Sequence, residues 1–264
     1  LIEGKDEMTS TANNGESFTL KEKIVYKTRG IFSETRTMYA YVYGELTDAN
    51  SNAISGADLS SDRQKFSISL PESSASSVVL KYAVSYISFE QAKLNFEKEL
   101  ATTSLEELAA SGKKAWEKVI NQIEVKGGTE AQKRTFYTSL YRTYERMLDV
   151  NEYGKYYSGY DGKVHESNRP FYVDDWSWDT YRATHPLRTI LTPEMQNDML
   201  NSYTLMYEQS GWMPTFPQVH GNHMCMNSYH SSAIFIDGYR KGLNDYDVEK
   251  AYEGIKKNLM EGTF

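Results

Sequence analysis

The sequence predicts an α+β chain laid out in two successive parts, an all-β layer up to about residue 88 and helices from there to the end. Three observations carry this. Before Ser88 the aromatic and apolar residues recur every second position, after it they recur at helical spacing, and turn-rich pieces separate the strand-like runs. In the first part Thr35, Thr37, Tyr39, Tyr41 and Tyr43 fall on one side of an extended segment. Phe66, Ile68 and Leu70 repeat the period, as do Leu80, Tyr82, Val84 and Tyr86. Asp48-Ala-Asn-Ser-Asn and Pro71-Glu-Ser-Ser read as connections between antiparallel strands.

In the second part Ser88 with Gln91, and Ser104 with Glu107, fit the capping box, in which a hydroxyl and a side-chain carboxyl or amide satisfy free N–H groups at a helix start. Leu105, Leu108, Trp116, Val119 and Ile123 then share one helical face, and Phe136, Leu140, Tyr144 and Met147 share the next. Thr192 before Pro193 marks the start of a helix carrying Met195, Met199, Tyr203 and Met206. Two more helices are expected from Ala233 to Lys241 and from Val248 to Leu259. The long aromatic loops between helices suit a toroid with a functional rim better than a simple bundle.

A length of 264 residues allows one large or two modest domains. The formal net charge of -7, without a dense Lys/Arg block, argues against a nucleic-acid or anionic-membrane surface and favours a soluble, weakly charged ligand. The 21 Tyr and 4 Trp suit carbohydrate, because flat rings cover the apolar faces of sugars. A single cysteine, Cys225, excludes an internal disulfide and a thiolate metal cluster; between two methionines it reads as core packing. No apolar run is long enough for a membrane span, and the first residues lack a secretory signal pattern. The start at Leu1 and the end at Phe264 read as those of an internal piece of a longer chain.

Three blocks carry a resemblance: Phe136-Tyr-Thr-Ser-Leu-Tyr-Arg142, Trp178-Asp-Thr-Tyr-Arg-Ala-Thr-His-Pro-Leu187 and Ile236-Asp-Gly-Tyr-Arg-Lys-Gly-Leu-Asn-Asp-Tyr-Asp247. Together with Val84-Ser-Tyr-Ile-Ser-Phe-Glu-Gln-Ala-Lys-Leu-Asn95 they resemble glycoside hydrolase family 92, a family of calcium-dependent exo-α-mannosidases. The resemblance implies an N-terminal β-sandwich ending at residues 1–88, a helical linker at 89–126, and the first part of an (α/α)6 barrel at 127–264. It also implies removal of terminal α-linked mannose with inversion, calcium as cofactor, a mannose-containing glycan as partner, and a periplasmic or secreted setting. The family's catalytic base and most calcium ligands belong to a Gly-Asn-Asp-rich block that has no match here. The remainder of the chain is therefore expected to supply them.

By the same resemblance Asp179 would hydrogen-bond hydroxyls of the terminal mannose, with Trp176 and Trp178 as walls and Arg182 fixing the carboxylate. A carboxylate suits that task as an acceptor for several hydroxyls, and Arg can hold it by a bidentate fork. The bland alternative is a helix N-terminus with Asp favoured by the dipole and tryptophans in the core. His185, before Pro186, reads as a residue that orders a turn. Asp174 and Asp175 are adjacent and point in different directions, which makes them a poor acid/base pair.

The loop from Trp212 to His230 departs from the family pattern. Most members carry a glutamate general acid there, whereas this loop contains no Asp or Glu and has Gln218, His220, Asn222, His223, Asn227 and His230 instead. Three readings compete. The acid stands elsewhere; the protein binds glycan without cleaving it; or the leaving group is a phosphate, which departs as a stable anion without a proton. A minority of the family is described as acting on mannose-1-phospho-6-mannose linkages. On this third reading Gln218 replaces the acid and His220, Asn222 and His223 contact phosphate. An ordinary α-1,2-mannosidase and a non-catalytic glycan-binding protein remain the alternatives. The His220-x-x-His223 spacing also occurs in zinc sites, but no further ligand set accompanies it.

Overall fold

The structure, a computed structural model, describes residues 2–3, 8–13, 17–27, 35–54, 57–62, 65–70, 77–223 and 229–262. Cys225, Asn227 and the expected turn at Pro71 lie outside these residues. The described chain divides into two compact units, one up to Leu105 and one from Glu106.

The first unit holds two antiparallel sheets. Strands β1 (Ile2–Glu3), β5 (Asp58–Asp62) and β6 (Lys65–Ser69) form one in the order β1-β6-β5. Strands β2 (Met8–Asn13), β3 (Ser17–Lys27), β4 (Thr35–Asp48) and β7 (Val78–Ser85) form the other in the order β2-β3-β4-β7. Phe18, Leu20 and Val42 from the second sheet and Phe66 from the first make a shared core, with the Phe18 and Phe66 rings 5.1 Å apart. Gly44 lies opposite Phe18 in the register, and a Cβ there would stand 2.4 Å from the Phe18 ring. Only glycine leaves that space. Phe18 is 1% exposed, so Phe18→Ala should cost this unit about 3 to 5 kcal/mol. Denaturant titration checks this as a lower midpoint at unchanged slope.

The strand period is two, as expected, and the side of β4 opposite Thr37, Tyr39 and Tyr41 is the more buried. Met38, Ala40, Val42 and Leu46 are buried on one side of β4, while Tyr41 and Tyr43 on the other pack with helix α1 (Phe89–Glu99). Their rings meet Phe89 and Phe96 edge-on, each at 5.1 Å. On β7 small Ala83 and Ser85 face α1, which leaves Leu80, Tyr82 and Val84 exposed on the opposite side. Ser88 caps α1 as expected, its hydroxyl accepting from the Gln91 N–H at 3.1 Å. The Asp48 turn is also present: its carboxylate accepts the N–H groups of Asn50 and Asn52, each at 2.8 Å.

Helix α2 (Leu105–Ile120) follows. The second unit continues with helix α3 (Glu130–Arg142), capped by a box of Thr129 and Gln132 that the sequence shows plainly once the helix start is known. The expected face through Tyr144 and Met147 overshoots, because α3 ends at Arg142. Buried Arg188 donates to the carbonyls of Thr143 and Arg146 and lies 3.6 Å over the Tyr144 ring, which holds this segment in a non-helical path. Three two-stranded ribbons follow from sequence stretches read as loops: β8 (Leu148–Asp149) with β11 (Tyr172–Val173), β9 (Lys155–Ser158) with β10 (Lys163–Glu166), and β12 (Pro217–Gln218) with β13 (Gly221–Asn222).

Helices α4 (Ser177–Thr180), α5 (Thr184–Leu191), α6 (Pro193–Ser210), α7 (His230–Arg240) and α8 (Val248–Glu261) complete the unit. Pro193 opens α6 at its first turn, where a missing N–H costs nothing. Met199, Leu200 and Tyr203 of α6 pack with Ile234 and Phe235 of α7 and Ala251 of α8 in one buried cluster. Among the described residues, no helix is long and apolar enough to cross a membrane.

Candidate functional site

The segment 172–182 and the ribbon β12–β13 converge in the second unit. Asp175 N–H donates to the carbonyl of Pro217 at 3.0 Å, and the Ser177 hydroxyl donates to the carbonyl of Thr215, so the two pieces are stitched by hydrogen bonds to backbone carbonyls. The ribbon rests on Gly159, where a Cβ would lie 2.3 Å from the His220 carbonyl carbon and 2.5 Å from the Val219 oxygen. That close approach requires glycine.

Around this seam the structure gathers Trp176, Gln218 and His223 with Asp174, as a partner of Gln218, and with two residues not singled out in advance, Arg146 and Phe216. The Arg146 guanidinium lies 3.6 Å over the Trp176 ring and pairs with Asp174 at 3.3 Å. Trp176 stacks on Phe216 at 5.4 Å, and Phe216 meets His223 at 6.3 Å. Gln218 Nε2 donates to Asp174 Oδ1 at 3.3 Å and to the Pro217 carbonyl at 3.1 Å. Asp174 itself has a φ of 62°, a left-handed conformation costing on the order of 1 to 3 kcal/mol for a residue with a Cβ. The surrounding bonds hold it there.

Asp175 points the opposite way and is fully buried. Its carboxylate accepts from His185 Nε2 at 2.8 Å, Tyr203 Oη at 2.5 Å and Thr180 Oγ1 at 2.8 Å. Burial alone would push its pKa up, but the neighbouring His185 and these donors outweigh burial and hold it below the ordinary aspartate range. Burial, reinforced by Asp175, raises the Tyr203 hydroxyl well above the ordinary tyrosine range. His185 therefore has a defined structural partner ten residues upstream, beyond the expected turn.

Trp178 and Asp179 stand on α4, with Trp178 48% and Trp176 39% exposed. Both tryptophans thus present ring surface, unlike the core tryptophans of the bland alternative. Asp179 is exposed and takes no hydrogen bond or ion pair from another described side chain. The expected Arg182 clamp is not formed: Arg182 Nε donates to the Tyr181 hydroxyl at 2.7 Å, because Tyr181 is turned toward it by packing against His230 at 4.4 Å. His230 has its pKa lowered by burial and by the Arg182 charge. Burial, then His223, lowers the pKa of His220, so its ring is neutral at pH 7. Asn222 is engaged within the ribbon, its side-chain oxygen accepting the N–H groups of Thr215 at 3.0 Å and Phe216 at 2.9 Å.

Among the described residues, no group of three or more His, Cys, Asp or Glu is arranged to hold a metal ion. Two cavities share no lining residue with the site. One of about 640 Å³ beside α7 and α8 is mostly apolar, with Phe235, Tyr239 and Tyr252 in its wall. The other, of about 580 Å³, is lined by Asp161, His165 and Glu208.

The family model described as the glycosyl hydrolase family 92 catalytic domain matches residues 91–263. The fold resembles that of the family GH92 inverting mannosidase BT2199 from Bacteroides thetaiotaomicron, at 26% identity and a TM-score of 0.76, covering 94% of this chain and 35% of that one. It also resembles the GH92 α-mannosidase BT3965 from the same organism, at 22% identity and a TM-score of 0.80, covering 97% of this chain and 36% of that one. A structure of BT3965 in complex with mannoimidazole matches at a TM-score of 0.79 and 22% identity, covering 98% of this chain and 36% of that one. The mixture of helices and antiparallel sheets is thus that of GH92 structures, and the chain spans about a third of the length of these neighbours. No curated protein matches the sequence.

Proposed function

The chain belongs to glycosyl hydrolase family 92, and from that premise we propose that it forms part of an enzyme that hydrolyses terminal α-linked mannose with inversion. The observation that carries the reading is the exposed carboxylate of Asp179 on the same short helix as exposed Trp178 and beside exposed Trp176. Aromatic rings for the apolar sugar face and an unshared acceptor for its hydroxyls are what recognition of a terminal hexose needs. The two sheets are taken as the end of a β-sandwich, and α3 with the helices after it as the opening of an (α/α)6 barrel. The catalytic base and the oxygen ligands of calcium are assigned to a longer chain in a periplasmic or secreted setting.

Inversion requires a general acid on one side of the scissile bond and a base on the other. At the expected acid position Gln218 is an amide whose N–H groups are directed at Asp174 and Pro217. An amide N–H is not acidic enough to serve as the general acid. We therefore propose a mannosyl-phosphate linkage as the preferred substrate, since a phosphate leaving group departs without protonation. His220 and His223, on and just after the turn of the ribbon β12–β13, are the groups assigned to its oxygens, with Asn222 holding that ribbon.

Gln218→Glu tests this on the longer protein. The new carboxyl would sit beside Asp174, and two carboxyls sharing a site raise one pKa, which suits a general acid. Cleavage of α-1,2-mannobiose is expected to rise by about tenfold or more while the mannose-phosphate-mannose diester is cleaved more slowly. Unchanged rates on both would place the acid at another residue.

A further inference from the structure

Asp175 sits between two residues of the site, Asp174 and Trp176, yet its own side chain is completely buried. Its carboxylate is held from three helices at once, by Thr180 of α4, His185 of α5 and Tyr203 of α6, at 2.8, 2.8 and 2.5 Å. The far side of the His185 ring is also fixed, with Nδ1 facing the fully buried amide of Gln196 at 3.1 Å. The backbone N–H of Asp175 reaches the Pro217 carbonyl, one residue from Gln218. A side chain tied in this way cannot turn, and neither can the peptide units on either side of it. Those units set where Asp174 meets Arg146 and Gln218, and where Trp176 lies between Arg146 and Phe216.

We propose that Asp175, with His185 and Tyr203 behind it, is a positioning residue that fixes Asp174 and Trp176 at the substrate-facing surface. What it positions them for rests on the mannose-site reading above; that it positions them does not. The role is distinct from stability alone, because the anchored atoms communicate with the surface through a single backbone step on each side. Buried networks of this kind hold site residues to the small tolerances that recognition needs.

The test uses Asp175→Asn, which keeps volume but turns an N–H₂ toward a donor, and Tyr203→Phe, which removes one donor and keeps the ring. Two properties are measured: the indole N–H resonance of Trp176 and the affinity for mannoimidazole by calorimetry. Both variants are expected to shift the Trp176 resonance while that of Trp116 stays in place. Both should weaken mannoimidazole by about tenfold, an effect that shrinks when Trp176→Ala is already present, as coupling through that residue requires. A lower melting temperature with the Trp176 resonance and the affinity unchanged in folded protein would overturn the proposal and leave Asp175 a structural residue. If the unsubstituted protein does not bind mannoimidazole, the mannose reading fails. The resonance alone then decides: a shift supports positioning and its absence overturns it.

Discussion

Asp179→Ala is expected to lower kcat/KM for α-mannoside cleavage by the longer protein by about a thousandfold, while the melting temperature stays within about 2 °C. The asymmetry follows from where the residue stands. Asp179 is exposed on a four-residue helix and makes no ion pair or side-chain hydrogen bond among the described residues, so the fold loses little when it is removed. The same freedom makes its carboxylate available to ligand. A hydrogen bond to a charged group contributes about 1.5 to 3 kcal/mol, and two sugar hydroxyls on one carboxylate span about a hundred- to ten-thousandfold. Asp179→Asn should fall between, because the amide keeps one acceptor. Activity within about threefold of the unsubstituted enzyme would remove Asp179 from the site.

Gly159→Ala should act through the fold on the same site. The added Cβ would meet the His220 carbonyl carbon at 2.3 Å, the Val219 oxygen at 2.5 Å and the Gly221 nitrogen at 2.6 Å, all backbone atoms with no rotamer to change. The ribbon β12–β13 must move as a body, carrying Gln218 and His223 away from Asp174 and Phe216. Overpacking of this sort costs about 1 to 3 kcal/mol, readable as a lower denaturation midpoint. A second signature is electrostatic. Because burial is the main cause of the lowered His220 pKa, a displaced ribbon should let that pKa rise toward the ordinary histidine value in an NMR titration. An unchanged midpoint and titration would mean that the ribbon does not rest on Gly159.

The parts of this architecture legible in the sequence are those decided by neighbours along the chain. Pro193 marks the start of α6, Ser88 caps α1, Asp48 organises its turn, and alternation in β4 separates Tyr41 and Tyr43 from Val42. What escaped depends on distance in sequence. Arg146 reaches Trp176 from 30 positions away, and neither residue carries a local mark of the partnership. The apolar spacing through Met147 suggested a longer α3, yet Arg188, 42 residues from the Arg146 carbonyl it binds, redirects that stretch. Asp174 and Asp175 point apart, as adjacency requires, but adjacency does not say that one is buried and the other paired with Arg146. Likewise the Asp179–Arg182 spacing permits a clamp, and it was the Tyr181 hydroxyl, between them in sequence, that took the guanidinium.

The most direct test of the mannose reading follows the anomer of the released sugar by proton NMR. The longer protein is mixed with a mannose-phosphate-mannose diester or with α-1,2-mannobiose, each with and without a calcium chelator. The account predicts β-mannose as the first product, faster release from the diester than from the disaccharide, and loss of both on chelation. Release of α-mannose first, or no mannose from either substrate, would contradict it.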